Sequence, residues 1–253
     1  MVQRKQYMRK LKKLMDTKII KVITGVRRCG KSTLLLLFRE YLKECGVAEN
    51  QIIAVNFEDI ANEPLLNYKK LHKYVVNRLI PGKMTYVFLD EVQNVPQYQK
   101  AVDSLFIKDN VDLYITGSNA EMLSGKLATL LSGRYIEINM LPFSFAEYFE
   151  LVGGDKRDTW NAYYHNGGFP YAAAIKDEEI RKDYIAGIYN TVLLKDIVAR
   201  KRISDIPLLE SVIRFLFDNI GNIVSANKIA NSLTSYGRKT TSVTMKASVS
   251  ASI

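Results

Sequence analysis

Long apolar runs are missing from this chain. No stretch approaches the roughly 18 consecutive apolar residues that a membrane-spanning helix needs, so none is expected. Cysteine is scarce: Cys29 and Cys45 are the only two in 253 residues. A disulfide framework is therefore not expected, and a reducing cytoplasm fits. The opening stretch MVQRKQYMRKLKKLM is too charged, and lacks the apolar segment, to read as a secretory signal. No internal repeat is visible. Acidic charge is the minority, with 26 Asp and Glu against 36 Lys and Arg and a net charge of +10. With 47% apolar and 25% charged residues the composition is that of an ordinary soluble globular chain, one large domain or two small ones.

Much of the basic excess lies in residues 4–21, where Arg4, Lys5, Arg9, Lys10, Lys12, Lys13, Lys18 and Lys21 face Asp16 alone. Tyr7, Met8, Leu11, Leu14 and Met15 recur there at helical spacing. The expectation is a helix that packs by this stripe and turns a basic face to solvent. Such a balance also suits a nucleic-acid partner, but many soluble proteins are mildly basic and charge does not decide.

The rest alternates. Strands are expected at 18–24, 51–58, 85–92, 111–119 and 134–141. Helices are expected at 31–44 and 65–80, the latter broken by Pro81-Gly82. Apolar strands alternating with helices predict an α/β fold: a buried parallel sheet in a three-layer αβα arrangement, with ligands at the carboxyl ends of the strands. After Pro142 the character changes. Residues 143–200 read as helical, interrupted by GGD at 153–155 and NGGFP at 166–170, and further helices are expected at 205–219, 225–234 and 239–246. The boundaries are a core at 1–142, a helical lid at 143–202 and a last module at 203–253.

Four elements carry chemistry. In GVRRCGKST, residues 25–33, an apolar strand runs into Gly25, and Gly30-Lys31-Ser32 opens a helix. Backbone N–H groups from Gly25, Val26, Arg27, Arg28, Cys29, Gly30, Lys31, Ser32 and Thr33 can cradle phosphates. Lys31 would reach the β- and γ-phosphates and the Ser32 hydroxyl would ligate Mg²⁺, which points to ATP with Mg²⁺. In YVFLDEVQN, Asp90 ends an apolar strand and can hold the metal through water, while Glu91 can orient and deprotonate an attacking water. A small-molecule kinase usually has no need of that adjacent Glu, so the pair favours hydrolysis over phosphate donation. In LYITGSN, Ser118 and Asn119 end a third strand where a polar group can sense the γ-phosphate, although Gly-Ser-Asn is also common in plain turns. In LLSGRYIEI, Arg134 stands at a helix-to-strand corner from which it could complete a neighbouring subunit's site.

Taken as a set, GVRRCGKST, YVFLDEVQN, ITGSNAEMLSGKLATLLSGRY and LPFSFAEYF resemble the prokaryotic AAA-domain ATPases related to the archaeal-type and STAND branch, over about residues 4–245. The resemblance implies Walker A and B motifs in an AAA+ core of strand order 5-1-4-3-2, followed by a helical lid. It implies that Gly168 and Pro170 of GGFP touch the base, that Arg134 is an arginine finger within a homo-oligomer, and that Arg4 and Tyr7 pack by the adenine. It further implies a winged helix, with a turn at 235–238 and with Arg238, Lys239 and Lys246 near phosphates, and then a nuclease-like domain. Here KASVSASI replaces the expected apolar helix and wing after Met245, and the nuclease-like domain is missing, so the winged helix reads as partial and nuclease activity is not carried over. Two functional readings remain. One is an ATPase that moves its lid and last module. The other is an ATP-dependent switch that binds DNA or a protein through residues 205–246 and turns over little.

Overall fold

The computed structural model describes residues 2–117, 131, 133–192 and 205–235. Its α-carbons group into two compact units, 1–185 and 186–253. The first unit opens with α1 (Lys5–Leu14), β1 (Ile20–Thr24) and α2 (Lys31–Glu44). There follow β2 (Ile52–Asn56), α3 (Tyr68–Val76), β3 (Thr85–Asp90), α4 (Tyr98–Phe106), β4 (Val111–Gly117) and β5 (Tyr135–Asn139). The five strands form one sheet, all parallel, in the order β5-β1-β4-β3-β2. This is the expected order read from the β5 edge. Helices flank the sheet in the expected three-layer fold.

The burial of each strand follows its place. The inner strands β1, β3 and β4 are buried at every position, whereas edge strands β2 and β5 are partly exposed. That is why the inner three read as near-continuous apolar runs. Successive side chains divide between two cores. Ile20, Val22, Val87, Leu89, Leu113 and Ile115 pack with Leu71 and Val75 of α3 and Val102 and Leu105 of α4. Ile23, Tyr86, Phe88 and Tyr114 pack with Leu11 of α1 and Leu34, Phe38 and Leu42 of α2.

The expected basic N-terminal helix forms and buries Met8 and Leu11. Two cations of the basic stretch 4–21 are not on a solvated face, however. Lys21 is fully buried in β1, where it pairs with Asp112 and donates to Thr17 O at 2.8 Å. Asp112 also accepts from Tyr114 Oη at 2.8 Å and Asp16 N at 3.0 Å. Burial pulls the Lys21 amine below its ordinary range and pushes the Asp112 carboxyl above its own, each partly opposed by the other. Arg4, at the head of α1, is 3% exposed. The helix expected at 65–80 is shorter than its apolar pattern: a 3-10 turn occupies Ile60–Leu65, and Asn67 caps α3 through Lys69 N and Lys70 N.

Four more helices follow: α5 (Phe145–Val152), α6 (Lys156–Asn166), α7 (Pro170–Ala174) and α8 (Glu178–Thr191). Ser144 and Glu147 start α5 with a reciprocal capping box, and Asp155 caps α6. In the second unit α9 (Ile206–Asp218) and α10 (Ala226–Ser235) bury Leu208, Val212, Ile229 and Ala230 between them. The helix expected at 239–246 and the turn at 235–238, with Arg238, Lys239 and Lys246, lie outside the described residues.

Candidate nucleotide site

The first-unit site sits at the carboxyl ends of β1 and β3. Gly25 leaves β1 with φ +147°, and a β-carbon there would lie 2.2 Å from the Met140 carbonyl oxygen. Only glycine lets the loop pass so close to the exit of β5. Gly30, with φ +103°, is the N-cap of α2. It offers no side chain to the first turn, which also holds no acidic residue. The leading N–H groups of a 14-residue helix thus have no side-chain cap, the arrangement that favours an anion.

Lys31 is 4% exposed and turns back into the loop. Its ammonium donates to Gly25 O at 3.1 Å and Val26 O at 3.3 Å, and lies 3.5 Å from Glu91 Oε1. Ser32 and Thr33 stay exposed on the first turn of α2. Cys29 is buried beneath the loop, and that burial raises its thiol above the ordinary range. Arg27 meets Glu58 at 3.4 Å. Arg28 donates to Tyr184 Oη at 3.2 Å.

Asp90 and Glu91 are each 7% exposed. Thr116 of β4 ties them together: its hydroxyl donates to Asp90 Oδ1 and accepts from Glu91 N, the latter at 2.9 Å. Glu91 has φ 55°, a conformation a glutamate holds only when its surroundings impose it. Ser32 and Asp90 line one cavity of about 300 Å³ together with Arg39, Asn56, Asp59 and Asn62. Among the described residues no three His, Cys, Asp or Glu group to hold a metal by themselves. The donors present, a hydroxyl and a carboxylate sharing one space, fit Mg²⁺, which takes few protein oxygens and completes its shell with phosphate and water.

The segment Met140–Phe143 links loop, N-terminal helix and later helices. Met140 N donates to Thr24 O at 2.8 Å, and Phe143 N to Gly168 O at 2.6 Å. Arg4 Nη2 donates to Leu141 O at 2.5 Å, and Leu141 N donates to Tyr7 Oη at 3.1 Å. Arg4 is also 3.4 Å from Glu147 and stacks near Tyr7 and Phe143. A β-carbon on Gly168 would fall 2.2 Å from Phe143 O, and one on Gly30 would lie 3.9 Å from Pro170 Cγ. Gly168 is thereby brought against Phe143, and Pro170 beside the loop.

Arg134 is not. It precedes β5, where its carbonyl accepts from Ile20 N at 2.9 Å, and its exposed guanidinium lies over Phe106. It stands at the amino end of the sheet, about 17 Å from Gly25 by the rise of a strand. Ser118 and Asn119 lie outside the described residues. The sequence reading passed over Thr116, Gln93, Glu58 and Tyr184. Thr116 alone left a signal, as the last side chain of an apolar strand that ends in glycine.

This sheet order, with a glycine-bounded loop between β1 and α2 and paired acids after β3, defines a P-loop nucleoside-triphosphatase fold of the AAA+ type. Residues 17–149 match the family described as AAA domain, and the chain belongs to it. Residues 157–250 match a second model, described as a domain of unknown function (DUF8612). An uncharacterized protein of Haemophilus influenzae is 39% identical over 93% of this chain and 60% of its own length. An uncharacterized protein of Methanocaldococcus jannaschii is 30% identical over 90% and 52%. The chain thus spans somewhat more than half of these relatives. Among solved structures, the Walker-type ATPase PABY2304 of Pyrococcus abyssi superposes with a TM-score of 0.64 at 17% identity, covering 99% of this chain and 89% of that one. The ADP form of the Aeropyrum pernix ORC2 protein gives 0.58 at 14%, covering 99% and 85%. Both likenesses are of fold.

Proposed function

We propose that this protein binds Mg²⁺-ATP at the Gly25–Thr33 loop and hydrolyses it. The observation that carries the reading is the buried contact of Lys31 with Glu91, beside Asp90 and Thr116. It sets a phosphate-seeking cation and a candidate base in one water-poor pocket. Lys31 would exchange the Gly25 and Val26 carbonyls for the β- and γ-phosphates, and the free N–H groups of α2 would receive the same anion. Ser32 and Asp90 would hold Mg²⁺, which supplies neutralisation of phosphate charge. Glu91 would orient a water whose oxygen bonds to the γ-phosphorus. The bond from that phosphorus to the bridging oxygen breaks, ADP keeps the electron pair, and the water proton goes to Glu91.

Gly168 and Pro170 would meet the base side, since Pro170 already stands by Gly30. Ser118 or Asn119 would sense the γ-phosphate. Arg134 cannot serve its own loop from the far end of β5, which suits a homo-oligomer in which it completes a neighbour's site. The core at 1–142, the lid at 143–202 and a winged-helix module at 203–253 are the proposed division, with nucleotide state moving the later parts. Two free cysteines, one of them exposed, suit a reducing cytoplasm. Among the described residues no helix is long and apolar enough to cross a membrane.

A second reading keeps the nucleotide and drops most of the turnover: a switch that engages DNA or a protein through residues 205–246. Its specific support is the exposure of Phe217 in the last turn of α9 and of Ile220 and Ile223 after it, a surface better suited to a protein than to DNA. One experiment separates the two. Phosphate release from Mg²⁺-ATP is followed across protein concentration, with Glu91→Gln as the blank. Hydrolysis predicts a rate at least about 100-fold above the blank, the usual contribution of a general base. A specific rate that rises with concentration would place Arg134 at a neighbour's site. A rate equal to the blank would leave only the switch.

A further inference from the structure

We infer that Gln93 is a positioning residue for Glu91, one that holds the carboxylate in place while Lys31 is drawn to the phosphates. The inference rests on the hydrolytic reading and gives it a further member. Gln93 lies in the 3-10 turn Val92–Asn94 that follows Glu91. Its amide Nε2 donates to Glu91 Oε2 at 2.5 Å. The other carboxylate oxygen, Oε1, faces Lys31 at 3.5 Å. Glu91 is thus gripped from two sides by groups of different fate. Lys31 must turn toward the phosphates when nucleotide binds. Gln93 has no such competing partner, and its grip on Oε2 persists.

The turn does not need this side chain for its own closure. Asn94 N donates to Glu91 O at 3.1 Å and Val95 N to Val92 O at 3.0 Å, while Val92 and Val95 are fully buried. The amide orientation is fixed by chemistry, since a carboxylate accepts only from the NH₂ end. The remaining atom, Gln93 Oε1, is then a buried acceptor with no hydrogen-bond partner among the described residues. A buried acceptor left unpaired is costly, and a water held by Glu91 would satisfy it. Gln93 would then help Glu91 keep that water, and would act only by way of Glu91. Neither interaction touches the nucleotide, so the effect belongs in turnover and not in binding.

The test is a double-mutant cycle with Gln93→Ala, Gln93→Met and Glu91→Gln, read by single-turnover phosphate release and by calorimetric ADP binding. Gln93→Met keeps the volume and loses the amide, and serves if the alanine variant fails to fold. Both Gln93 variants should lose about 10- to 100-fold in turnover, as expected for a misplaced base, with KM and ADP affinity within about threefold of the parent. In the Glu91→Gln background the same changes should cost nothing more, because residues acting through one another are not additive. Equal losses in both backgrounds, an unchanged rate in Gln93→Met, or a parallel fall in ADP affinity would each overturn the assignment. A parent rate no higher than that of Glu91→Gln would instead fell the hydrolytic reading, and the role of Gln93 with it.

Discussion

Three glycine-to-alanine substitutions dissect how the Met140–Phe143 segment is held against the phosphate loop. Gly46 has φ +88° and open space around it, so alanine there meets conformational strain alone. That strain is about 1–2 kcal/mol, offset by about 0.4–1 kcal/mol from the stiffer unfolded chain, for a net loss of roughly 0.5–1 kcal/mol. Gly168 is the reverse case. Its φ is not positive, but its β-carbon would fall 2.2 Å from Phe143 O, more than 1 Å inside ordinary contact. Relief requires parting Phe143 N from Gly168 O, now 2.6 Å, and disturbing Tyr163 Oη on Phe143 O, now 3.0 Å. Two hydrogen bonds at about 1–2 kcal/mol each, once the polar groups they strand are counted, give about 2–4 kcal/mol. Gly25 combines both effects, with φ +147° and 2.2 Å to Met140 O, and should lose about 3–5 kcal/mol. Urea unfolding of the three variants should rank Gly46→Ala well below Gly168→Ala, with Gly25→Ala the most severe. The Gly25→Ala/Gly168→Ala pair should lose less than the sum, since both push on the same four residues. A Gly168→Ala midpoint equal to that of Gly46→Ala would refute the close approach and with it the link from the later helices to the loop.

Two further outcomes follow from buried polar groups. Asp112→Ala strands the Lys21 ammonium and removes the acceptor of Asp16 N and Tyr114 Oη, so urea unfolding should show a loss of about 3–5 kcal/mol. A joint Lys21→Met/Asp112→Leu change should lie much nearer the parent, and a loss below about 1 kcal/mol in Asp112→Ala would show the pair to be dispensable. Iodoacetamide at pH 8 should label exposed Cys45 and spare Cys29, whose burial both shields the thiol and holds its pKa above the ordinary value, so that it stays neutral. Mass spectrometry should show one adduct on the folded protein and two after unfolding, and two adducts on the folded protein would contradict the buried loop.

The architecture was largely legible in order. Apolar runs at β1, β3 and β4 announced inner strands because both their faces are covered. Gly25, Lys31, Ser32, Asp90 and Glu91 stood out as candidates because phosphate and metal chemistry would fix both residue type and spacing along the chain. The helix at 31–44 was bounded by Gly30 before it and Gly46 after it. The solvated reading of Arg4 and Lys21 failed for one reason: a cation's partner is remote in sequence. Asp112 is 91 residues from Lys21, and Leu141 is 137 residues from Arg4.

What the sequence determined by itself was local: strand and helix periods, the glycines where the backbone must turn, and a loop that suits phosphate. What only the tertiary structure decided was convergence. Thr116 bridges Asp90 and Glu91 because β4 lies beside β3. Gly168 reaches Phe143, and Pro170 comes beside Gly30, because the chain returns after β5. Arg134 is carried away from the loop because β5 runs parallel to β1 and begins at its opposite end. Gln93 grips Glu91 although only one residue separates them, because Glu91 takes a positive φ that residue type does not announce. All but the last rest on groups meeting across elements, and the one-dimensional pattern records which residues an element buries but not which partners it meets.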